Sequence, residues 1–274
     1  MEENLTMDAI RKGHVEADGV RYGYEIHGSG APMLLLHGGF GTMDMFRSVL
    51  GHMTAQHQVI MIDLYGHGRT ALTDRPIDAI AMGDDMATVV RALGFERVDV
   101  LGFSAGAKVA FRLAVQHPDV VGRLVLASIP FANTGFFPAL IEQQKGLTRE
   151  SAAMLMQTPM YEAYKAVAPR VEDFPEFVAR MAEAISTPYD WSEEVKTLKP
   201  TTLLIFGDSD MFPLEHIIRF YQLLGGGQRD GGWDGSGMTR HRLAILPGMT
   251  HYEMSDAPSM IDTALAFLAG AKTA

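Results

Sequence analysis

The chain has 274 residues, a length that suits one large α/β domain with an insertion as well as two small domains. An apolar share of 47% and a charged share of 20% are ordinary for a globular domain that buries most of its apolar surface. Cysteine is absent, which excludes disulfides, thiolate metal sites and a cysteine nucleophile. The net charge of −10, with no Lys/Arg cluster, would repel nucleic acid rather than attract it.

No apolar run approaches the length that crosses a bilayer, so no membrane partner is expected. The first twenty residues carry Glu2, Glu3, Asp8, Arg11 and Lys12 among few apolar residues. A secretory signal would need an apolar core there, so the cytoplasm is the expected location.

In chain order, strands are predicted over residues 21–27, 33–37, 58–63, 97–103, 123–129, 201–207 and 242–246. Several, such as Met33-Leu34-Leu35-Leu36, Val59-Ile60-Met61-Ile62 and Leu203-Leu204-Ile205-Phe206, are apolar without alternation. Strands buried on both faces of a helix-covered parallel sheet read this way. Helices are predicted between them over residues 43–54, 79–93, 105–116, 214–224 and 257–269. The alternation implies an α/β, doubly wound, mostly parallel sheet with its site at the carboxyl ends of the strands.

That rhythm breaks between residues 131 and 200, where helical patterns occur without a strand. Residues 131–200 are therefore expected to be a helical cap between two parts of one core, 1–130 and 201–274. Met154, Met156, Met160 and Met181, beside Phe131, Phe136, Phe137, Phe174, Phe177 and Trp191, would give the cap a greasy, adaptable inner face. Ordinary helix packing accounts for the same residues. Residues 225–238, seven of them glycine, read either as a pocket-rim or subunit-contact loop or as an elaborated connection.

The chemistry begins at Gly102-Phe103-Ser104-Ala105-Gly106. The pattern alone is weak, but a strand over 97–103 leads in and a helix leads out. A serine in a tight strand-to-helix turn presents its hydroxyl to the cleft, and the flanking glycines let strand and helix crowd together. A serine hydroxyl needs a base within hydrogen-bond reach and an acid to orient that base. Downstream, the run 203–207 ends in Asp208-Ser209-Asp210, and the run 243–246 leads into Pro247-Gly248-Met249-Thr250-His251. Serine, acid and histidine thus follow one another, each after its own strand. His37 and His67 lie in turn motifs and are expected to bond backbone, and Asp63 is expected to hold the loop that follows it.

With those residues in place the sequence resembles the α/β-hydrolase superfamily, in particular its small serine esterase-like members with a helical cap. The resemblance runs from about Val15 and includes His37-Gly38-Gly39-Phe40 and Asp63-Leu64-Tyr65-Gly66-His67-Gly68-Arg69-Thr70. It implies Ser104 as nucleophile, His251 as base and Asp210, three residues after Gly207, as the acid. It also implies the amides of Gly39 and Ala105 as the oxyanion hole, with Phe40 the alternative to Gly39. Two such amides contribute about 3–4 kcal/mol each to transition-state stabilisation. Phe40 and Phe103 are expected to touch the substrate. Thr70 stands where many relatives have serine, at a position structural in the family.

The expected reaction is hydrolysis of a small, mostly apolar carboxylic ester through an acyl-enzyme, with no metal or organic cofactor. The same triad serves C–C bond hydrolysis, lactone opening, amide cleavage and cofactor-free perhydrolysis. Epoxide-opening and dehalogenating members use an aspartate nucleophile, against which Ser104 argues. A non-catalytic ligand-binding module on the same fold is the alternative of another class.

Overall fold

The computed structural model describes residues 11–270. Eight strands form one sheet: β1 (Arg11–Ala17), β2 (Val20–His27), β3 (Ala31–Leu36), β4 (His57–Ile62), β5 (Val98–Phe103), β6 (Val121–Ala127), β7 (Thr201–Ser209) and β8 (Arg242–Thr250). Their order is β1-β2-β4-β3-β5-β6-β7-β8. β1 and β2 run antiparallel to their neighbours, and β3 to β8 pair in parallel.

The apolar strand runs divide residue by residue between two cores, which is why they lack alternation. Leu34, Leu36, Ile60, Ile62, Leu204 and Phe206 face one core. Met33, Leu35, Val59, Met61, Leu203 and Ile205 face the other. Helices α1 (Leu50–Thr54), α2 (Ala79–Ala92) and α3 (Ala105–Gln116) follow β3, β4 and β5. Between β6 and β7 lie α4 (Pro138–Lys145), α5 (Ala152–Leu155), α6 (Pro159–Val167), α7 (Phe174–Ser186) and α8 (Ser192–Lys196). Helices α9 (Leu214–Leu223) and α10 (Pro258–Leu268) complete the chain. α2, α3 and α9 bury apolar residues in the first core, and α1 and α10 in the second.

Two expectations need correction. An eighth strand, β1, was not predicted, because Arg11–Ala17 is an exposed edge with almost no apolar pattern. Its signal lay in the turn: Asp18 and Gly19 join β1 to β2 with φ of 46° and 72°, the Asp-Gly signature of a two-residue hairpin. The stretch 43–54 is not one helix but a 3₁₀ segment, Met43–Val49, running into α1.

The strand–turn–helix around Ser104 depends on bare glycines. A Cβ on Gly106 would drive into the backbone carbonyls of Leu36 and His37, and one on Gly102 would lie 2.5 Å from the Gly106 carbonyl oxygen. Gly106→Ala is expected to cost about 3 kcal/mol or more, because the obstacle is backbone and cannot rotate away. Gly51→Ala, in open space on α1, is expected to be neutral or slightly stabilising. Urea midpoints at unchanged m-value compare the two, and equal midpoints would contradict the crowding argument.

Candidate active site

Three side chains converge from the carboxyl ends of parallel strands. Ser104 directly follows β5, Asp210 follows β7 and His251 follows β8. Ser104 is held at φ 52° and ψ −116°, a conformation that costs a side-chain-bearing residue roughly 1–3 kcal/mol. Its amide donates to the Ala127 carbonyl at 2.9 Å, and its own carbonyl accepts from the Ala107 and Lys108 amides. The turn is thereby pinned to β6 on one side and to α3 on the other.

Ser104 Oγ lies 3.1 Å from His251 Nε2, and His251 Nδ1 lies 2.9 Å from Asp210 Oδ1. Asp210 accepts further bonds from Ser128 Oγ at 2.6 Å, the Met211 amide at 2.8 Å and the Gly207 amide at 3.2 Å. Burial pushes the Asp210 carboxyl upward, but these donors, His251 first among them, outweigh it and hold the group below the usual carboxylate range. Ser128, unmarked by any motif, follows β6 as Asp210 follows β7, and it too has a positive φ, 54°. Asp208 turns outward and accepts from the Gly248 amide at 2.9 Å, tying β7 to the end of β8 just before His251.

The amides of Gly39 and Ala105 donate to no group among the described residues. Both residues border a cavity of about 240 Å³ that also exposes Ser104, His251, Phe40, Ser128, Met181 and Phe212. Met181, from α7, closes down on Gly39: a Cβ there would meet its methyl at 2.9 Å. A larger cavity of about 420 Å³ adjoins and shares Ala105, Lys108, Met181 and Ile185 with the first.

Phe40 borders the first cavity, but Phe103 borders neither. At 4% exposure its side chain joins the second core, under the site, with its ring 5.1 Å from that of His251. The strand's pleat sends it away from the cleft that Ser104 faces. The methionine expectation narrows likewise, because Met154 and Met160 are exposed and only Met181 of that set borders the cavities. Residues 225–238 border neither cavity, and Trp233 in their midst is fully exposed.

His37 donates from Nδ1 to the Gly38 carbonyl and accepts the Leu64 amide at Nε2, so it ties two loops as a neutral ring. Burial pushes it down to about 4. His67 donates to the Tyr65 carbonyl, and burial takes it to about 3. Asp63 accepts from the amides of Met43 and Arg69 and from the Arg69 guanidinium. Thr70 bridges the Asp63 carbonyl and the Gly23 amide. Among the described residues no cluster of three or more His, Cys, Asp or Glu side chains is arranged to hold a metal ion. No helix among them is long and apolar enough to cross a membrane.

A family model described as "alpha/beta hydrolase fold" matches residues 31–188. The chain is 34% identical over 122 residues to a putative carbamate hydrolase, RutD, of Azorhizobium caulinodans, covering 44% of this chain and 46% of that protein. It is 36% identical over 114 residues to a soluble epoxide hydrolase of Corynebacterium sp., covering 41% and 40%. The chain thus spans less than half the length of these curated relatives. Among solved structures, a thermophilic esterase from Thermogutta terrifontis superposes with a TM-score of 0.73 at 19% identity, covering 94% of this chain and 98% of that one. Carboxylesterase CesB from Bacillus subtilis gives 0.72 at 16% identity, covering 97% and 94%. The family match takes in more than half of the 274 residues, and the fold superposes over nearly all of them, so the chain belongs to the alpha/beta hydrolase fold family.

Proposed function

We propose that the protein is a serine hydrolase that cleaves a small, mostly apolar carboxylic ester through an acyl-enzyme, with residues 131–200 as a cap over the site. The observation that carries this reading is the hydrogen-bonded chain from Ser104 Oγ through His251 to Asp210, bordered by two unengaged amides.

In the first half-reaction Ser104 Oγ attacks the ester carbonyl carbon while its proton passes to His251 Nε2. The tetrahedral oxyanion takes the Gly39 and Ala105 amides, and Asp210 balances the imidazolium and fixes its orientation. The intermediate expels the alkoxide, which takes the proton from His251 and leaves as the alcohol. A water then gives its proton to His251 and attacks the acyl carbonyl, and collapse returns the proton to Ser104 and frees the acid. No step needs a metal or organic cofactor.

The test is labelling with a fluorophosphonate, followed by a panel of 4-nitrophenyl esters with a lactone, an arylamide and a carbamate. A phosphonyl adduct on Ser104 together with ester turnover is the expected result. An unlabelled serine and an inert panel would favour the ligand-binding module.

The cap makes its own prediction. Met181 lies against Gly39 and borders both cavities, so Met181→Ala should lengthen the preferred acyl chain, with kcat/KM for hexanoate over butyrate rising about tenfold. An unchanged ranking of chain lengths would place Met181 in plain packing.

A further inference from the structure

Among the described residues, Lys108 is the cation of the cavity walls that has no ion-pair or hydrogen-bond partner. It stands one helical turn beyond Ser104 on α3, and it borders both the cavity that holds Ser104 and His251 and the larger one beside it. No carboxylate of the described residues comes within salt-bridge distance, and its ammonium donates no hydrogen bond among them. Its one partner is the face of the Tyr189 ring, 4.6 Å from the ring centroid. The neighbouring arginines are taken: Arg112 meets Glu194 and Gln116, and Arg180 meets Glu176 and the carbonyls of Asp74 and Arg75. An ammonium has three donors to satisfy, and a tyrosine face satisfies none of them by hydrogen bonding. Lys108 is half-buried and opens onto the cavity, where its charge is incompletely hydrated and a bound anion would offset that loss.

We propose that Lys108 docks a carboxylate of the substrate, which makes the substrate a monoanionic ester such as the half-ester of a short dicarboxylic acid. The inference rests on the serine hydrolase reading above and deepens it. Ser104 and Lys108 border the same cavity of about 240 Å³, so the docked carboxylate and the attacked carbonyl belong to one small molecule. That molecule lies across the junction where the two cavities share Ala105, Lys108, Met181 and Ile185. The other walls there are largely apolar, which confines recognition of the anion to this one charge.

Burial lowers the Lys108 ammonium to about 8, so it is mostly charged at pH 7 and neutral by pH 9.5. Other charged or titratable groups on the same walls are Asp78, Arg180, Glu183, His67 and Tyr189 around the larger cavity and His251 in the smaller, and burial pushes the Tyr189 hydroxyl up, out of this range. Asp78 is already engaged as the cap of α2, accepting from the Ile80 and Ala81 amides. His67 is neutral throughout this range, because burial holds it at about 3.

Three substrates decide the matter: 4-nitrophenyl hydrogen glutarate, 4-carboxyphenyl butyrate and the neutral 4-nitrophenyl butyrate. The first carries its carboxylate on the acyl side and the second on the leaving group, so the two arms show which side Lys108 reads. With one of them, the ratio of kcat/KM over the neutral ester should fall at least 30-fold in Lys108→Met and in Lys108→Gln. In the wild type the same ratio should fall as pH rises from 7 to 9.5. Ratios that move less than threefold in both variants with both anionic substrates would overturn the proposal.

Direct binding separates this outcome from failure of the hydrolase reading. Free glutarate should bind Ser104→Ala by calorimetry at pH 7, and should not bind Ser104→Ala carrying Lys108→Met. Glutarate binding by a parent enzyme that turns over none of the three esters would sink the serine mechanism and leave the anion site standing. Folding gives a further check, since a lysine lowered in the folded state binds fewer protons there than when unfolded, between pH 8 and its ordinary value. Lys108→Met should therefore raise the thermal midpoint at pH 7, with the gain shrinking toward pH 10.

Discussion

Ser104→Ala is expected to lower kcat for activated esters on the order of 10⁶-fold, with a thermal midpoint close to that of the parent. The size of the loss follows from the chemistry, because neither His251 nor the two amides can form the acyl-enzyme without an attacking oxygen. The unchanged midpoint follows from the backbone: alanine keeps the Cβ and hence the same strain at φ 52°, and it gives up only the 3.1 Å contact with His251. Ser104→Gly separates the two quantities. It should be as inactive as the alanine variant, yet more stable than the parent by about 1 kcal/mol, since glycine accepts that conformation freely while costing more chain entropy. Stopped-flow burst kinetics and differential scanning calorimetry on the three proteins make the comparison. Retention of more than about 1% of the parent kcat in purified Ser104→Ala would remove Ser104 from the nucleophile's role.

The residues that carry this argument differ in how far they can be read without coordinates. Ser104 was legible because the strand before it and the helix after it are both strongly patterned, and Ala105–Gln116 falls where the pattern places it. The central parallel strands were legible for a related reason: burial on both faces leaves runs such as Leu203-Leu204-Ile205-Phe206, which few other environments produce. β1 lies at the sheet edge with only Ala17 buried and Val15 half-buried among its residues, so hydropathy could not reveal it. Ser128 was invisible because its contribution is a single hydrogen bond to Asp210 across 82 residues of chain. Phe103 was misplaced since a motif records order along the chain, while the pleat decides which face a side chain takes. Lys108 reads as an ordinary solvated helix charge, and only the walls contributed by α7 and by Tyr189, from the segment between β6 and β7, reveal its isolation.

Asp210→Asn should lower kcat by two to four orders of magnitude, roughly the span known for this replacement in a serine triad, whereas Asp208→Asn should cost less than about tenfold. Asp210 stands among four donors: His251 Nδ1, Ser128 Oγ and the amides of Gly207 and Met211. A carboxylate accepts from all of them. An asparagine must turn an NH₂ group toward one pair. If it faces His251, the ring is driven to the tautomer whose Nε2 carries a proton and can no longer take one from Ser104. If it faces Ser128 and Gly207, two N–H or O–H donors are left opposed at a site only 7% exposed, at about 1–3 kcal/mol of stability. Either orientation also removes the charge that balances the imidazolium. Because the Asp210 carboxyl is held below its ordinary value, its contribution to stability is complete above the unfolded carboxylate range and fades only as pH falls through the lower folded value. The part of the stability gap between the parent and Asp210→Asn that comes from the carboxyl's own ionisation should therefore begin to close only below about pH 4. Asp208 meets the Gly248 amide of β8 in solvent and touches neither His251 nor Ser104, so its amide variant should leave the pH–rate profile in place. A deeper kinetic defect in Asp208→Asn than in Asp210→Asn would move the acid's role to Asp208 and leave the Ser104–His251 chemistry as proposed.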